Sequence, residues 1–240
     1  MATFILIHGA WHGGWCWEKL VPLLEARGHR ALAPDLAGMG NDRRVLGEGV
    51  LALWADEIAD LVRQQEEPVI LVGHSRGGIV ISEVAERVPD HVARLVYLTA
   101  YLVPPGEAAL AVSLSQPGMP DLRPMLTQTA DGRGSYFASG GTAPLFYHQV
   151  DPALVPGIEA RLCPEPHEPV VTPLMLTAER FGRVPRSYVE AGEDKALIPA
   201  LQRAMRERMP CESVLTLPSD HSPFYSMPER LADALIGLAG

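Results

Sequence analysis

The sequence is poor in several things, and each shortage excludes something. It has only three cysteines, Cys16, Cys163 and Cys211, an odd number at unrelated spacings. That argues against a disulfide framework and against a zinc knuckle, and leaves each thiol as a small buried hydrophobe. Basic residues are outnumbered, 20 Lys and Arg against 29 Asp and Glu, for a formal net charge of −9 with no basic run. A phosphate backbone would be repelled, so nucleic acid is not expected as a partner. No apolar run approaches the ~20 residues needed to cross a bilayer. The opening "MATFILIHGA" has neither the charged start nor the apolar length of a secretory leader. No membrane partner is expected, and the expected location is cytoplasmic. Internal repeats and low-complexity tracts are missing too. What is present is 240 residues, 47% of them hydrophobic, enough for one sizeable core but not comfortably for two. Residues 1–240 are therefore read as one domain.

Six short runs rich in Val, Ile and Leu, "FILIH", "ALAPD", "VILVG", "LVYLT", "SYVEA" and "SVLTL", are continuous in apolar character rather than alternating. Strands covered on both faces have this pattern. Helical patterns lie between most of them: "WEKLVPLLEARG" ends on Gly28, "VLALWADEIADLVRQQ" precedes the third run, and "GIVISEVAERV" stops at Pro89. Alternating strand and helix predict an α/β class, a mainly parallel sheet of about six strands flanked by helices. The span 101–185 breaks the alternation and carries 13 of the 22 prolines. It is too long and too proline-punctuated for a simple connection, and is read as an inserted helical cap, or lid.

The stretch "VILVGHSRGG" carries the chemistry. A serine hydroxyl is a poor nucleophile unless a base takes its proton while the oxygen is held exposed, and a sharp strand-to-helix turn does that holding. Such a turn crowds its neighbours, so the residues two before and two after the serine must be small. Gly73 and Gly77 occupy those places around Ser75. The plainer alternative is a serine that only caps a helix; the strand before it and the helix after it favour the nucleophile.

A base and an orienting acid should follow at the ends of later strands, acid first. "SVLTLPSDHSPFY" puts His221 just past the last strand; the other histidines lie too early or in the cap. "RSYVEAGEDKALIP" puts Asp194 just past the strand before it. Glu190 should lie within that strand and Asp220 is adjacent to the base, whereas Glu193 stays open as a rival acid. Acyl transfer also needs donors for the developing oxyanion. The backbone N–H groups of Arg76, next to the nucleophile, and Ala10, in the glycine-rich "HGAWHGGW" after the first strand, are the candidates. His8 and His12 are four apart on a loop rather than on one helical face, so no metal pair is expected, and the chemistry calls for no cofactor.

The stretches "FILIHGAWHGGWCWEKLVPLLEARGHRALAPDLAGMG", "GHSRGG", "FGRVPRSYVEAGEDKALIP" and "SDHSPFYSMPERLADAL" resemble the α/β-hydrolase family that contains plant methylesterases, including salicylate methylesterases, and hydroxynitrile lyases. The likeness spans nearly the whole chain and is weakest in the cap. It implies an α/β-hydrolase fold, Ser75, Asp194 and His221 as a triad, and the amides of Ala10 and Arg76 as the oxyanion hole. The lyases of that family carry a threonine right after the first-strand histidine and a lysine right after the catalytic histidine. Gly9 and Ser222 stand there in this chain, which favours ester hydrolysis. Lyase-type or carbon–carbon cleavage on the same fold is the alternative, and a ligand receptor that retains the triad is the non-enzyme one. Arg76 stands where apolar residues are common; a salt bridge to a nearby carboxylate is expected ahead of substrate contact.

Trp11, Tyr101, Tyr147 and Phe224 are candidate substrate-binding residues, with Phe137 and Phe146 among further aromatics of the cap. They suit a small-molecule ester of a modest apolar or aromatic acid. A homodimer is kept open as the assembly.

Overall fold

The continuous apolar runs make strands whose two faces are both covered. In the computed structural model, which describes residues 1–137 and 141–239, Phe4, Leu6, Ile70, Val72, Val96, Leu98 and Val189 join one core cluster. Their alternating neighbours Ile5, Ile7, Val69, Leu71, Leu95, Tyr97 and Tyr188 join another. Period-two alternation persists, but both faces are apolar, so the sequence reads as an unbroken hydrophobic run.

The first half of the chain alternates regularly: β1 (Thr3–Ile7), α1 (Leu20–Ala26), β2 (Arg30–Leu32), α2 (Val50–Arg63), β3 (Val69–His74), α3 (Gly77–Arg87) and β4 (Val92–Leu98). There follow α4 (Ala109–Leu114), β5 (Leu126–Gln128), β6 (Gly134–Phe137), α5 (Ala143–Phe146), α6 (Val155–Glu159), β7 (Glu165–Pro166) and α7 (Glu168–Val171). The chain then returns through β8 (Arg186–Ala191), α8 (Pro199–Arg208), β9 (Ser213–Leu217), α9 (Pro223–Ser226) and α10 (Pro228–Gly237). Gly28, at φ 81°, turns the chain out of α1 in a left-handed conformation that costs glycine nothing.

Strands β2-β1-β3-β4-β8-β9 form one six-stranded, wholly parallel sheet. Buried faces of α2, α3 and α8 cover one side, and those of α1 and α10 cover the other. The chain steps from β1 outward to β2, then crosses back to β3 on the opposite side of β1. That reversal opens a crevice beyond the carboxyl ends of β1 and β3, where open parallel sheets bind ligands.

The 101–185 span was expected to be helical, and its structure is mixed. Four short helices accompany a three-stranded antiparallel sheet, β5-β6-β7. The pairing of Ser135 with Glu165 joins residues 30 apart in sequence, and Gly134 passes so close that a Cβ there would meet Glu165 O at 2.7 Å. Such pairings are set by tertiary contact and leave no local periodicity to read. No described helix is long and apolar enough to cross a membrane.

Candidate active site

Ser75 sits at the carboxyl end of β3 with φ 52°, a left-handed conformation that a serine adopts at a cost. The surrounding glycines show how the strain is held. A Cβ on Gly73 would meet Gly77 O at 2.7 Å, one on Gly77 would meet Ile7 O at 2.7 Å, and one on Gly78 would meet Tyr101 O at 2.2 Å. The Ser75 carbonyl accepts from Gly78 N at 3.1 Å and Tyr101 N at 3.0 Å, while its N–H donates to Leu98 O at 3.3 Å. The turn is thus wedged between the ends of β1 and β4, with Ser75 only part-buried.

His221 follows β9, and its Nδ1 lies 2.6 Å from Asp194 Oδ2; the side chains are 5% and 0% exposed. A carboxylate oxygen accepts, so Nδ1 carries the proton and Nε2 keeps its lone pair. Asp194 Oδ1 accepts from the amides of Ala196 at 2.7 Å and Leu197 at 2.9 Å, and Oδ2 also accepts from Thr99 Oγ1 at 2.5 Å. These donors fix the orientation of the carboxylate. Behind the base, His74 Nε2 donates to the His221 carbonyl at 2.8 Å, and the Phe146 ring lies 5.3 Å from the His221 ring. The rival acids are occupied elsewhere. Glu193 accepts from the Gln149 side chain at 2.7 Å, and Asp220 accepts from the amides of Ser222 and Gln149 and from Ser226 Oγ. Ser75 Oγ has no hydrogen-bond partner among the described residues.

The loop after β1 runs against the Ser75 turn, where a Cβ on Gly9 would meet Ser75 Cβ at 3.0 Å. Among the described residues the N–H groups of Ala10 and Arg76 have no acceptor, whereas neighbouring Trp11 N and Gly14 N donate to Glu165 and Asp35. His12 Nδ1 donates to Ala10 O at 2.7 Å, and Tyr147 OH donates to His12 Nε2 at 2.6 Å. Burial is the main cause that lowers the His12 pKa to about 4; the nearby His221 ring and Arg76 add to it, against the bond to Ala10. His8 and His74 are likewise pushed down, chiefly by burial. These three rings are neutral near pH 7, and among the described residues His221 is the histidine with a carboxylate partner. No group of three or more metal-ligating side chains occurs among the described residues.

The Arg76 guanidinium turns away from the crevice. Its Nε donates to Glu165 Oε1 at 2.8 Å, its Nη2 donates to Gly9 O at 3.0 Å, and its plane lies 4.3 Å over the Trp54 ring. Both charged side chains are buried, 1% and 5% exposed. Of the expected substrate wall, Trp11 and Tyr101 keep part of their surface. Trp11 packs on Phe137 and Phe146, with ring centres 4.7 Å and 6.1 Å away. Phe224 needs correction: it is fully buried behind the site, 5.0 Å from Trp17 and 4.9 Å from His74, and offers a ligand no surface. Tyr147 is 1% exposed and its hydroxyl is engaged by His12. Phe146 is the aromatic set against the base. A cavity of about 500 Å³ between the 38–50 loop and the cap sheet does not include Ser75.

Sequence reasoning missed Thr99 and Glu165. Thr99, one residue past β4, has φ 36°, rare for a β-branched residue; a lone polar residue at a strand's carboxyl end was its only signal. Glu165 lies 89 residues from Arg76 in a proline-rich span, and no local pattern marks it.

The sequence profile described as the alpha/beta hydrolase family matches residues 4–234. The pyrethroid hydrolase of Sphingobium wenxiniae is 36% identical over 247 residues, covering 100% of this chain and 88% of the relative. Methylesterase 1 of Arabidopsis thaliana is 33% identical, covering 98% of this chain and 95% of that protein. The crystal structure of a pyrethroid hydrolase from Sphingobium faniae JZ-2 superposes with a TM-score of 0.85 at 35% identity, over 99% of this chain and 97% of that one.

Proposed function

This chain belongs to the alpha/beta hydrolase family and is an ester-cleaving hydrolase, and we propose that it acts as a serine carboxylesterase on esters of small apolar or aromatic acids. Ser75 is the nucleophile, His221 the base, Asp194 its orienter, and the amides of Ala10 and Arg76 the oxyanion hole. The observation that carries the reading is the His221–Asp194 bond, which leaves Nε2 free to accept a proton, in a chain that also carries a strained, part-exposed serine at the end of β3.

In the first half-reaction the Ser75 Oγ–H proton passes to His221 Nε2 as Oγ bonds to the ester carbonyl carbon. The carbonyl oxygen takes the electron pair and is held by the two backbone N–H groups. The carbon–oxygen bond to the alcohol breaks, and the leaving oxygen takes the proton from His221. Water then repeats the attack: its proton goes to His221, its oxygen to the acyl carbon, and Ser75 recovers the proton as the acid departs. Asp194, held in place by its amide and hydroxyl donors, stabilises the imidazolium in both halves. Trp11 and Phe137, part-exposed and packed on the Phe146 ring that lies against His221, offer apolar and aromatic surface, which suits an apolar or aromatic acyl group. Trp11, Tyr101 and Phe137, which keep part of their surface, are its proposed contacts.

Ser75→Ala should remove at least about three decades of rate on p-nitrophenyl and aromatic methyl esters, leaving only binding and oxyanion stabilisation. Stopped-flow turnover of wild type and variant, with circular dichroism as a folding control, is the measurement. Retention of more than about a tenth of the rate would refute the nucleophile. A single slow burst with no later cycles would instead favour the receptor reading.

A further inference from the structure

The two amides assigned to the oxyanion hole share one side chain. Arg76 offers its own N–H, and its Nη2 donates to Gly9 O. Gly9 C=O and Ala10 N–H belong to the same peptide, which is planar and trans, so they point in opposite directions. Fixing the carbonyl therefore aims the Ala10 N–H the other way. His8 Nδ1 also donates to Gly9 O, at 2.9 Å. On the far side of Ala10 the next peptide is held by both ends: its carbonyl accepts from His12, and its N–H, that of Trp11, donates to Glu165 Oε2 at 3.1 Å. Of the four polar groups in the two peptides flanking the Ala10 Cα, only the Ala10 N–H is without a partner among the described residues.

We propose that Glu165, on cap strand β7, and the Arg76 side chain are positioning residues for the oxyanion hole, so that the seating of the cap sets the hole's geometry. This rests on the reading of Ala10 and Arg76 as the oxyanion donors. The Glu165 carboxylate takes Arg76 on Oε1 and Trp11 N–H on Oε2, spanning the nucleophile turn and the first loop at once. Trp11 sits at φ 61°, a left-handed conformation disfavoured for a tryptophan. It is held there from the cap, through Cys163 N to Trp11 O at 2.9 Å and Trp11 Nε1 to Ser135 O at 3.0 Å. Without the carboxylate, the guanidinium loses its ion pair and the Trp11 amide its acceptor, so the Gly9–Ala10 peptide is left to His8 and an unanchored Arg76 and is held less tightly.

The test compares wild type with Glu165→Gln and Arg76→Lys, each normalised to active sites by the p-nitrophenol burst. Glutamine keeps the shape but not the charge or both acceptors. Lysine keeps the charge, but one ammonium cannot serve Glu165 and Gly9 O with the fixed fork of a guanidinium. Full loss of an oxyanion donor costs about 10²–10³ in kcat, so mis-aiming one should lower kcat by roughly 10- to 100-fold. KM should stay within about twofold, because ground-state binding does not use the hole. Affinity for a trifluoromethyl ketone, whose adduct on serine carries an oxyanion, should fall in step with kcat/KM. Should the glutamine variant fail to fold, the lysine variant carries the same expectation. A purely structural pair would lower the melting temperature or the titrated fraction and leave kcat per active site and ketone affinity unchanged; that result overturns the proposal. Absence of a burst and of ketone binding in wild type would instead bring down the serine mechanism beneath it.

Discussion

The two halves of the site are held by different means. The Asp194–His221 half hangs from the ends of adjacent strands: the acid takes two amides from its own loop and one hydroxyl from the end of β4. The half with the proposed oxyanion donors hangs from the cap, through a buried ion pair between residues 89 apart in sequence and the Trp11 amide. One half is braced by the sheet and its connections, whereas the other depends on an insertion docking correctly. Buried ion pairs add little net stability against an apolar alternative but make the loss of one partner costly, about 3–5 kcal/mol. Such a device suits a place where geometry matters more than stability.

The comparison breaks most sharply at the acid. Asp194→Asn should cost roughly four decades in kcat by setting the wrong His221 tautomer. Glu193→Gln, which disturbs only an exposed bond to Gln149, should change it by less than about threefold, in keeping with a surface substitution. Steady-state rates of the two variants decide the matter, and an inverted ranking would move the acid role to Glu193.

A smaller effect is expected at Thr99. Thr99→Val keeps shape while removing one hydrogen bond to an ionised carboxylate, worth about 1.5–3 kcal/mol. The remaining donors hold Asp194, so kcat should fall about tenfold, with the rest of that energy appearing as a lower melting temperature. If kcat stays at the wild-type value, Thr99 is only a support for the backbone turn.

The mildest effect belongs to the oxyanion half and reads out through pH. His12 has its pKa lowered from 6.5 to about 4 by burial. Below pH 6.5 the unfolded chain binds the proton and the folded one does not, so stability falls as pH drops from 6.5 towards 4 and levels off below. The slope from this residue is at most about 1.4 kcal/mol per pH unit. His12→Gln should flatten the fall in that window, whatever it does to stability at pH 7. Urea melts of both proteins at pH 7, 6 and 5 measure it, and parallel curves would show that His12 is not titrating as assigned.

How much of this was legible in the sequence follows the range of the interactions involved. The six apolar runs announce six strands because a strand covered on both faces must be apolar at nearly every position, a purely local demand. The glycines around Ser75 are legible for the same reason: a Cβ at Gly73 or Gly77 would strike backbone within 3 Å. The choice of Asp194 over Glu193 was not, since adjacent carboxylates differ only in which one the loop turns inward. Residue spacing does not encode the cap sheet, whose strands pair across the chain.

The sequence alone therefore announced the fold class, and it singled out the glycine-flanked turn at Ser75 and the order of Asp194 and His221 along the chain, because each is written in neighbouring residues. Tertiary structure alone decided what surrounds them: Thr99 under Asp194, Phe146 beside His221, Phe224 removed to the core, and Glu165 clasping Arg76. Those partners meet by chain return over tens of residues, and a long-range contact between two ordinary side chains leaves no periodicity, spacing or composition by which either could be read.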